Sequence, residues 1–412
     1  MDTFCETALC KDPGRIRQDE IEVSIVIPCL NEARTVGRCV RKAVDALAAL
    51  GIQGEVIVAD NGSTDNSPIL AKEQGAKVVH VAQRGYGNAL QGGIAAARGQ
   101  FIIMADSDES YNFAEIEPFI DRLRAGDELV MGNRFQGGIR SGAMPWHHRY
   151  IGNPVLTGIL NLFFRTPIGD AHCGFRAFRK DSVLRLGLTS PGMEFASEMV
   201  VKAALQKQRM SEVPVVLYPD GRDRPPHLRS FRDGWRHLRF LLLMCPLWLF
   251  FIPSLLITAI GMLLMIWLTP GPRQFRNFVL DLHSLLFGSL LVILGYQTTW
   301  LWLFAKIHAW IEELLPPDKL SQQLFDYITL ERGLVTGTVV LLAGLGLNSW
   351  LCYSWWDYNF GPLEVQVTMR KALWGSALMI LGVQTIYGSF FLSLLRMTKD
   401  CKAQRPGITV VS

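Results

Sequence analysis

The chain has 412 residues, 49% of them hydrophobic, and a formal net charge of +4 at pH 7. This length accommodates one sizeable globular domain, and so small a net charge does not indicate a nucleic-acid partner. The eight cysteines are scattered without a C-x-x-C pair, which excludes a zinc site of that spacing and is typical of reduced thiols.

Short apolar runs alternate with helical stretches from Glu22 to about Tyr218. Strands are predicted at Val23–Pro28, Glu55–Asp60, Lys77–Val81, Phe101–Ala105, Leu129–Gly132 and Val213–Leu217, and helices at Thr35–Leu50, Ser67–Gln74, Asn88–Arg98 and Glu115–Arg124. This alternation predicts an α/β domain with a mostly parallel sheet. Ligands of such sheets bind beyond the carboxyl ends of the strands. The residues of interest at those ends are Asn31, Asp60, Arg84 and Asp106.

The C-terminal part contains four stretches without a charged residue, at Leu241–Leu268, Ser284–Ala305, Gly333–Trp356 and Ala372–Leu395. About 20 apolar residues in a helix span a bilayer, and buried helices of soluble proteins rarely run so long without a charge. We therefore predict an all-α transmembrane domain of four helices. The Gly333-x-x-x-Gly337 spacing permits close helix packing, and assembly of several copies through these helices is one use of it.

The charge distribution predicts that the N-terminal domain lies in the cytosol. The first 22 residues contain no apolar export segment, and Arg229, Arg232, Arg236 and Arg239 precede the first span. Four spans return the basic tail to the same side. Arg370 and Lys371, at the outer start of the fourth span, run against this rule. We expect a multi-pass integral membrane protein surrounded by membrane lipids.

Two acidic clusters follow predicted strands. Asp106-Ser107-Asp108 has two carboxylates that can gather around a divalent cation, although the same spacing occurs in solvated turns. In the segment from Asp60 to Asp65, Asn61-Gly62 favours a turn and Asp65 is expected to cap the next helix. Asp60 itself is placed to accept hydrogen bonds from a nucleobase or ribose.

Two basic segments are candidates for phosphate binding. Arg84-Gly85-Tyr86-Gly87-Asn88 precedes a helix and offers backbone N–H groups and a guanidinium. Arg222, Arg224, His227 and Arg229 lie just before the first span, where a lipid headgroup would arrive. The alternative for this second segment is a basic anchor without a ligand.

Four motifs occur in order, at Ser24–Glu32 (SIVIPCLNE), Val58–Asp65 (VADNGSTD), Asp106-Ser107-Asp108 and Gly174-Phe175-Arg176. Together they resemble family 2 glycosyltransferases of the GT-A fold, most closely polyprenyl-phosphate hexosyltransferases such as dolichyl-phosphate mannose and glucose synthases. The resemblance covers Glu22 to Arg239. It implies a Rossmann-like GT-A domain at 22–218, with a flexible segment 1–21 before it and a basic linker 219–240 after it. A transmembrane domain at 241–396 and a cytosolic tail at 397–412 complete the expected organisation.

The resemblance also implies roles for the matching residues. The nucleotide sugar would contact Pro28, Leu30, Glu32, Ala59, Asp60, Arg84, Asp106 and Ser107. Asp106 and Asp108 would hold Mg2+ or Mn2+ against the diphosphate, with Arg134 facing the donor phosphates. The lipid phosphate would meet Arg222, Arg224 and Arg229, although Leu228-Arg229-Ser230 replaces the usual Ser-Lys-Leu. Ser110 stands where relatives often have a Gln that helps to bind the metal.

The implied reaction is inverting transfer of one hexose, mannose or glucose, from a GDP- or UDP-sugar to a polyprenyl phosphate of dolichyl or undecaprenyl type. GDP-mannose and UDP-glucose fit equally well. A lipid phosphate with a second pKa of about 6 is largely ionised at pH 7 and needs no strong base. Asp170 matches an acidic position of some relatives and is either an orienting group or base, or a loop carboxylate. Glu194 and Glu198 face either the same cleft or solvent.

Three other functions use the same features. Transfer to a neutral glycerolipid would require a base such as Asp170. Processive polysaccharide synthases have a Gln-x-x-Arg-Trp motif, whereas Gln206–Met210 lacks the Trp. A non-catalytic protein would sense nucleotide sugar or transport a lipid-linked sugar, but the intact Asp-x-Asp and the scarcity of ionisable residues in the spans argue against it.

Overall fold

The computed structural model describes residues 21–222, 230–312, 314–316 and 319–403. The chain forms two compact units, Met1–Leu241 and Leu242–Ser412. We call them the α/β unit and the helical unit.

The α/β unit is built on a seven-stranded sheet in the order β3-β2-β1-β4-β6-β5-β7. The strands are β1 (Val23–Cys29), β2 (Gly54–Asp60), β3 (Lys77–His80), β4 (Phe101–Met104), β5 (Leu129–Asn133), β6 (Arg176–Arg179) and β7 (Met210–Pro214). Strand β6 runs antiparallel to both neighbours, and the other pairings within the sheet are parallel. The predicted α/β fold with a mostly parallel sheet is confirmed.

Helices connect the strands and cover the sheet. They are α1 (Val36–Ala49), α2 (Ser67–Glu73), α3 (Tyr86–Ala96), α4 (Glu117–Arg124), α5 (Arg134–Gly137), α6 (Asn153–Phe164), α7 (Lys180–Arg185), α8 (Phe195–Leu205) and α9 (Ser230–Leu243). Every residue of β1 is buried, as expected for a parallel strand covered on both faces. The register pairs Cys29 with Asp60, so the loops that follow β1 and β2 begin side by side.

Two strands differ from the prediction. Strand β7 spans Met210–Pro214 rather than Val213–Leu217, because Met210 pairs with Leu129 of β5 and sets the register; Leu217 forms an isolated bridge with Ile139. Strand β6 has the sequence RAFR, whose two arginines hide a strand from a hydrophobic pattern. Its first residue, Arg176, is nevertheless fully buried.

The described part of the helical unit contains four helices that are long and apolar enough to cross a membrane, at Leu247–Leu268, Leu282–Ile311, Leu330–Asp357 and Val365–Lys399. Its elements are α10 (Ile252–Leu268), β8 (Arg273–Phe275), β9 (Phe278–Leu280), α11 (Leu282–Ile311), α12 (Lys319–Tyr327), α13 (Leu330–Asp357) and α14 (Val365–Ala403). The first candidate span begins at Leu247 rather than Leu241, because α9 ends at Leu243 and Pro246 starts a new helical turn.

Glycines bring the long helices together in two hairpins, α10 with α11 and α13 with α14. A Cβ atom added at Gly337 of α13 would lie 2.9 Å from the Gly382 carbonyl oxygen of α14, and one at Gly344 would lie 2.6 Å from that of Gly375. These close approaches need residues without a side chain. The Gly333-x-x-x-Gly337 face therefore packs against α14 of the same chain.

Arg370, which ran against the predicted orientation, has a structural role. It is buried, and its guanidinium donates to the Leu268 carbonyl and to the Asp281 carboxylate. The charge is thus paired with α10 and with the residue that precedes α11. A neutralised arginine that joins three elements differs from the free loop charges on which the orientation rule is based.

Candidate active site

The loops after β1 and β2 are tied to each other by side chains. Asn31 has a positive φ of 56°, which asparagine tolerates, and its Oδ1 accepts from the Thr64 N–H at 2.7 Å. The Asp65 carboxylate accepts from Ser67 N–H, at the start of α2, at 3.0 Å and from Ala33 N–H at 3.1 Å. Asp65 is therefore not the N-cap residue of α2, which is Asn66, but it binds the first N–H of the helix and also fixes the neighbouring loop.

Asp60 is a buried carboxylate at the end of β2. Its Oδ1 accepts from Ser63 N–H at 3.1 Å, and its Oδ2 lies 3.0 Å from His80 Nδ1. Burial raises the pKa of Asp60, but the hydrogen bonds from Ser63 and His80 outweigh it and lower the pKa overall. Asp60 is therefore ionised at neutral pH. His80 escaped the sequence analysis because it marks only the end of an unremarkable strand.

The remaining predicted nucleotide contacts lie at the same sheet edge but differ in exposure. Pro28 and Ala59 are register partners and are buried, whereas Leu30 is half-buried. Arg84 is exposed in the next loop. That loop is held by Asn61, whose Oδ1 accepts from Gly85 N–H at 2.6 Å.

Three acidic residues, Glu32, Asp106 and Asp108, meet at Arg222 and form what we call the acidic centre. Arg222 Nε lies 2.8 Å from Glu32 Oε1, and its Nη1 lies 3.1 Å from Asp108 Oδ2. Burial lowers the pKa of Arg222, but Asp108 and Glu32 raise it further than that and keep it charged. The fold thus joins the ends of β1 and β4 to the segment after β7.

Asp106 is a half-buried carboxylate between Tyr86 and Gly174. Burial and the charge of Asp108 raise its pKa to about 6, although Arg222 and the hydrogen bond from Tyr86 oppose the rise. The Tyr86 hydroxyl donates to Asp106 Oδ1 at 3.1 Å. A Cβ atom at Gly174 would lie 2.5 Å from Asp106 Oδ2. Gly174 lies in the loop before β6. A residue with a side chain would collide with this carboxylate, which explains the glycine at this position.

Glu109 anchors the Asp-x-Asp loop and was missed by the sequence analysis. It has a positive φ of 66°, and its carboxylate pairs with Arg38 at 2.6 Å and with Lys42 at 2.9 Å, both on α1. The neighbouring Ser107 is buried. Ser110 donates its N–H to Asp108 Oδ1 at 3.0 Å. The loop is held by its own backbone and by α1, with the acidic pair left at the sheet edge.

Arg134 and Asp170 form a buried bidentate ion pair. Arg134 Nε lies 2.6 Å from Asp170 Oδ2, and Nη2 lies 2.8 Å from Oδ1. Glu212, which sequence reasoning did not single out, accepts from the Asp170 N–H at 3.0 Å. Both carboxylate oxygens of the fully buried Asp170 lie against Arg134. This contact favours the orienting role over that of a general base.

The predicted acidic residues Glu194 and Glu198 differ in burial. Glu198 is buried and accepts from the backbone N–H groups of Thr189 and Ser190, so it faces neither the cleft nor solvent. Glu194 is half-buried at the start of α8. Arg224 and Arg229 lie outside the described residues.

A histidine pair lies where α8 and α9 meet the loop before β6. The ring centroids of His172 and His237 are 4.8 Å apart, and His237 Nδ1 lies 2.8 Å from Ser197 Oγ. Burial lowers the pKa of His237 to about 4 and, together with His237, holds that of His172 well below its usual range. The charged groups that act on His237 are Glu194, Asp233 and Arg176. Both histidines are therefore neutral at pH 7.

We expect the α/β unit to lose stability as the pH falls from about 6.5 toward 4. The pKa of His237 is 6.5 in an unfolded chain and about 4 in the fold, so the folded state binds fewer protons in this window. The loss in free energy of unfolding from this group is about 2 kcal/mol at pH 5. His237→Gln removes this pH-dependent loss. The Tm of the wild type should therefore fall relative to that of the variant between pH 7 and pH 5. A Tm difference that does not move in this direction would contradict this account.

Comparisons with known proteins agree with this architecture. Residues 24–187 match the model of glycosyl transferase family 2, and residues 303–396 match that of the glycosyltransferase family 2 C-terminal transmembrane region. The low-salt glycan biosynthesis hexosyltransferase Agl6 of Haloferax volcanii is 36% identical over 380 residues, which cover 90% of this chain and 89% of that protein.

Two further similarities cover about half of this chain. A dolichyl-phosphate hexose transferase of Haloferax volcanii is 25% identical over 47% of this chain and 82% of its own length. The crystal structure of glucosyl-3-phosphoglycerate synthase from Mycobacterium tuberculosis aligns with a TM-score of 0.44 and 22% identity, over 54% of this chain and 80% of that one. From the matching family models and the nearly full-length relative, the chain belongs to the family 2 glycosyltransferases and is an integral membrane enzyme of that family.

Proposed function

We propose that this enzyme transfers a single hexose from a nucleotide sugar, GDP-mannose or UDP-glucose, to a polyprenyl phosphate, with inversion at the anomeric carbon. The observation that carries the proposal is the acidic centre with Arg222 at the carboxyl edge of the sheet, in a chain that also has four bilayer-length helices. The relatives named as a hexosyltransferase and as a dolichyl-phosphate hexose transferase support the sugar and the acceptor class.

The donor is proposed to bind along the ends of β1, β2 and β4. Asp60, ionised and fixed by Ser63 and His80, offers a carboxylate edge to the base or ribose. Pro28, Leu30, Ala59 and Ser107 would line this pocket, with Glu32 and Arg84 at its rim. A carboxylate at Asp60 can accept hydrogen bonds from guanine or uracil, so the proposal includes both donors.

The acidic centre fits Mg2+ or Mn2+. Asp106 and Asp108 supply two hard oxygen ligands, and Mg2+ is often bound by one or two carboxylates together with substrate phosphates. Among the described residues, no group of three or more His, Cys, Asp or Glu side chains is placed to hold a metal ion, so the diphosphate and water would complete the shell. When bound, the metal neutralises the charge of the leaving diphosphate.

The chain's own residues position the reacting groups. Arg222, Arg224 and Arg229 are proposed to bind the acceptor phosphate, and Arg134, held by Asp170, to face the donor phosphates. A phosphate oxygen of the lipid attacks the anomeric carbon while the bond from that carbon to the diphosphate oxygen breaks. Because the acceptor is already ionised and the nucleoside diphosphate leaves with the electron pair, no proton has to be removed first.

We further propose that all four long helices span the bilayer and that the α/β unit lies on the cytosolic side. The arginines of α9 lie shortly before the first candidate span, and the pairing of Arg370 with Asp281 neutralises one of the two contrary charges. In this proposal the GT-A domain occupies 22–218 and the transmembrane domain 241–396, with the first span beginning at Leu247.

The direct test is label transfer from GDP-mannose and from UDP-glucose, separately, to polyprenyl phosphate in membranes that contain the enzyme, with and without EDTA. We expect one donor to give a single-sugar lipid, and EDTA to abolish its formation. A long polymer would indicate a processive synthase, and labelling of a glycerolipid would indicate a different acceptor. No lipid product from either donor, with folded protein and added metal, would overturn the proposal.

A further inference from the structure

The backbone N–H groups of the glycine-rich segment 84–88 have partners within the protein. Gly85 N–H donates to Asn61 Oδ1 at 2.6 Å. Gly87 N–H, in the first turn of α3, donates to the Pro191 carbonyl at 2.9 Å. This carbonyl satisfies an N–H group that the start of a helix otherwise leaves without an intrahelical acceptor. A backbone cradle for phosphate therefore does not account for the glycines of this segment.

The two glycines instead allow the loop before α8 to approach very closely. A Cβ atom at Gly85 would lie 2.1 Å from the Pro191 carbonyl oxygen, and one at Gly87 would lie 2.1 Å from that of Ser190. Gly85 also has a φ of 136°, which side chains disfavour. The backbone on both sides of Tyr86 is thus held by contacts that only glycine permits.

Tyr86, between the two glycines, reaches one carboxylate of the acidic centre. Its hydroxyl donates to Asp106 Oδ1 at 3.1 Å. The other oxygen, Oδ2, lies so close to Gly174 that a Cβ atom there would be only 2.5 Å away. A hydrogen-bond donor at one oxygen and backbone beside the other restrict the rotation of the Asp106 carboxylate.

The kind of donor matters for a carboxylate that has to bind a cation. An ionised carboxylate has about four lone-pair positions, and the bond from Tyr86 uses one of them. A phenol is neutral at pH 7, so it orients the group without cancelling its charge, as an arginine or lysine would. Hydrogen-bond partners of this kind commonly fix the orientation of metal ligands.

We infer that Tyr86 is a positioning residue for the metal, which orients the Asp106 carboxylate through its hydroxyl without touching the ion or the substrate. The inference rests on the proposed function, in which Asp106 and Asp108 hold Mg2+ or Mn2+. The Gly85-Tyr86-Gly87 sequence then serves to place one hydroxyl group at the metal ligand, and the loop before α8 serves to hold it there.

Metal binding measured without turnover tests this role. The full-length enzyme in detergent is titrated with Mn2+ in the presence of GDP and, separately, of UDP, and the EPR signal of the free ion is recorded. Tyr86→Phe should raise the dissociation constant for Mn2+ by about 10- to 100-fold. Its Tm should fall by only roughly 2–4 °C, as expected for one lost hydrogen bond.

The matched control is Tyr218→Phe. It removes the hydroxyl of another half-buried tyrosine and keeps the ring that lies under Arg140. Its affinity for Mn2+ should equal that of the wild type.

Gly174→Ala gives a second measurement that leaves Tyr86 in place. The added methyl group would displace Asp106 Oδ2, so this variant should also weaken Mn2+ binding, and it serves as the test if Tyr86→Phe does not fold. Because both changes act on one carboxylate, the double variant should lose less affinity than the product of the two single effects.

Sugar transfer distinguishes a positioning residue from one that contacts the substrate. Tyr86→Phe should need more Mn2+ for its half-maximal rate but regain most of the wild-type rate at saturating Mn2+. A loss of rate that excess metal does not restore would overturn the inference. Wild-type affinity for Mn2+ in folded Tyr86→Phe would overturn it as well, while the metal site and the proposed reaction would stand. A wild-type enzyme that binds no Mn2+ with either nucleotide would overturn the metal assignment itself, and this inference with it.

Discussion

Replacing Asp108 with Asn is expected to lower kcat/KM for sugar transfer by on the order of a hundred- to a thousandfold, or about 3–4 kcal/mol of transition-state stabilisation. The substitution removes one of the two charges proposed to hold the metal and leaves Arg222 opposite a neutral group. An asparagine Oδ1 can still accept from Ser110 N–H, so the loop should keep its conformation. The measurement is the initial rate of labelled lipid formation at saturating metal.

The matched control for this prediction is Asp121→Asn, which neutralises an exposed carboxylate on α4. It should leave the rate within about twofold, because exposed ion pairs contribute little. Titration with Mn2+, followed by the EPR signal of the free ion, separates metal binding from catalysis. Asp108→Asn should weaken Mn2+ binding in the presence of the nucleoside diphosphate. Full metal-dependent activity in Asp108→Asn would show that the metal lies elsewhere.

Arg176→Met is expected to produce the largest loss of stability in the α/β unit. The guanidinium of Arg176 is fully buried and donates to the carbonyls of Cys173 at 2.7 Å, Ala196 at 2.6 Å and Ala171 at 2.9 Å. Methionine fills similar space but leaves these acceptors without a donor, at a total cost of about 3 kcal/mol or more. The Tm of a unit of this size should fall by roughly 6–12 °C, measured by differential scanning fluorimetry in detergent.

Two further variants separate the geometry of Arg176 from its charge. Arg176→Lys keeps the charge but presents a single ammonium to three carbonyls, so it should restore only a small part of the stability. Arg185→Met removes an exposed arginine from the adjacent α7 and should change the Tm by no more than about 2 °C. If Arg176→Met melted like Arg185→Met, the guanidinium would not be what organises the loop from Asp170 to Gly174.

The parallel strands were predictable because each is an apolar run that ends in a polar residue. Strand β6 was not, because its arginines owe their burial to tertiary contacts, among them the carbonyls that surround Arg176. The predicted end of the first candidate span, Leu268, agrees with the structure. Like β1, it was predictable because it depends on local composition. The start of this span was displaced because the last turn of α9, Phe240 to Leu243, is as apolar as the span that follows.

In the candidate site, too, features that depend on local sequence were predictable, and features that depend on tertiary contacts were not. Asp60, Asp106 and Asp108 stand directly after strands, so their convergence follows from parallel topology. The pairing of Arg222 with Glu32 joins residues 190 positions apart, and no local spacing indicates it. Likewise, the choice between base and orienting group for Asp170 depended on Arg134, whose approach is set by the packing of the loop against β5.

The two glycine-lined hairpins have a consequence for how the chain enters a bilayer. In each hairpin the tight contact joins helices that are consecutive among the four long ones, α10 with α11 and α13 with α14. Each pair can therefore close as soon as its own second helix has been synthesised, before the other pair exists. We expect insertion to proceed in two steps of two helices each, with α11 and α14 meeting last, so that a bulky residue at Gly337 would stall the second step and leave the first intact.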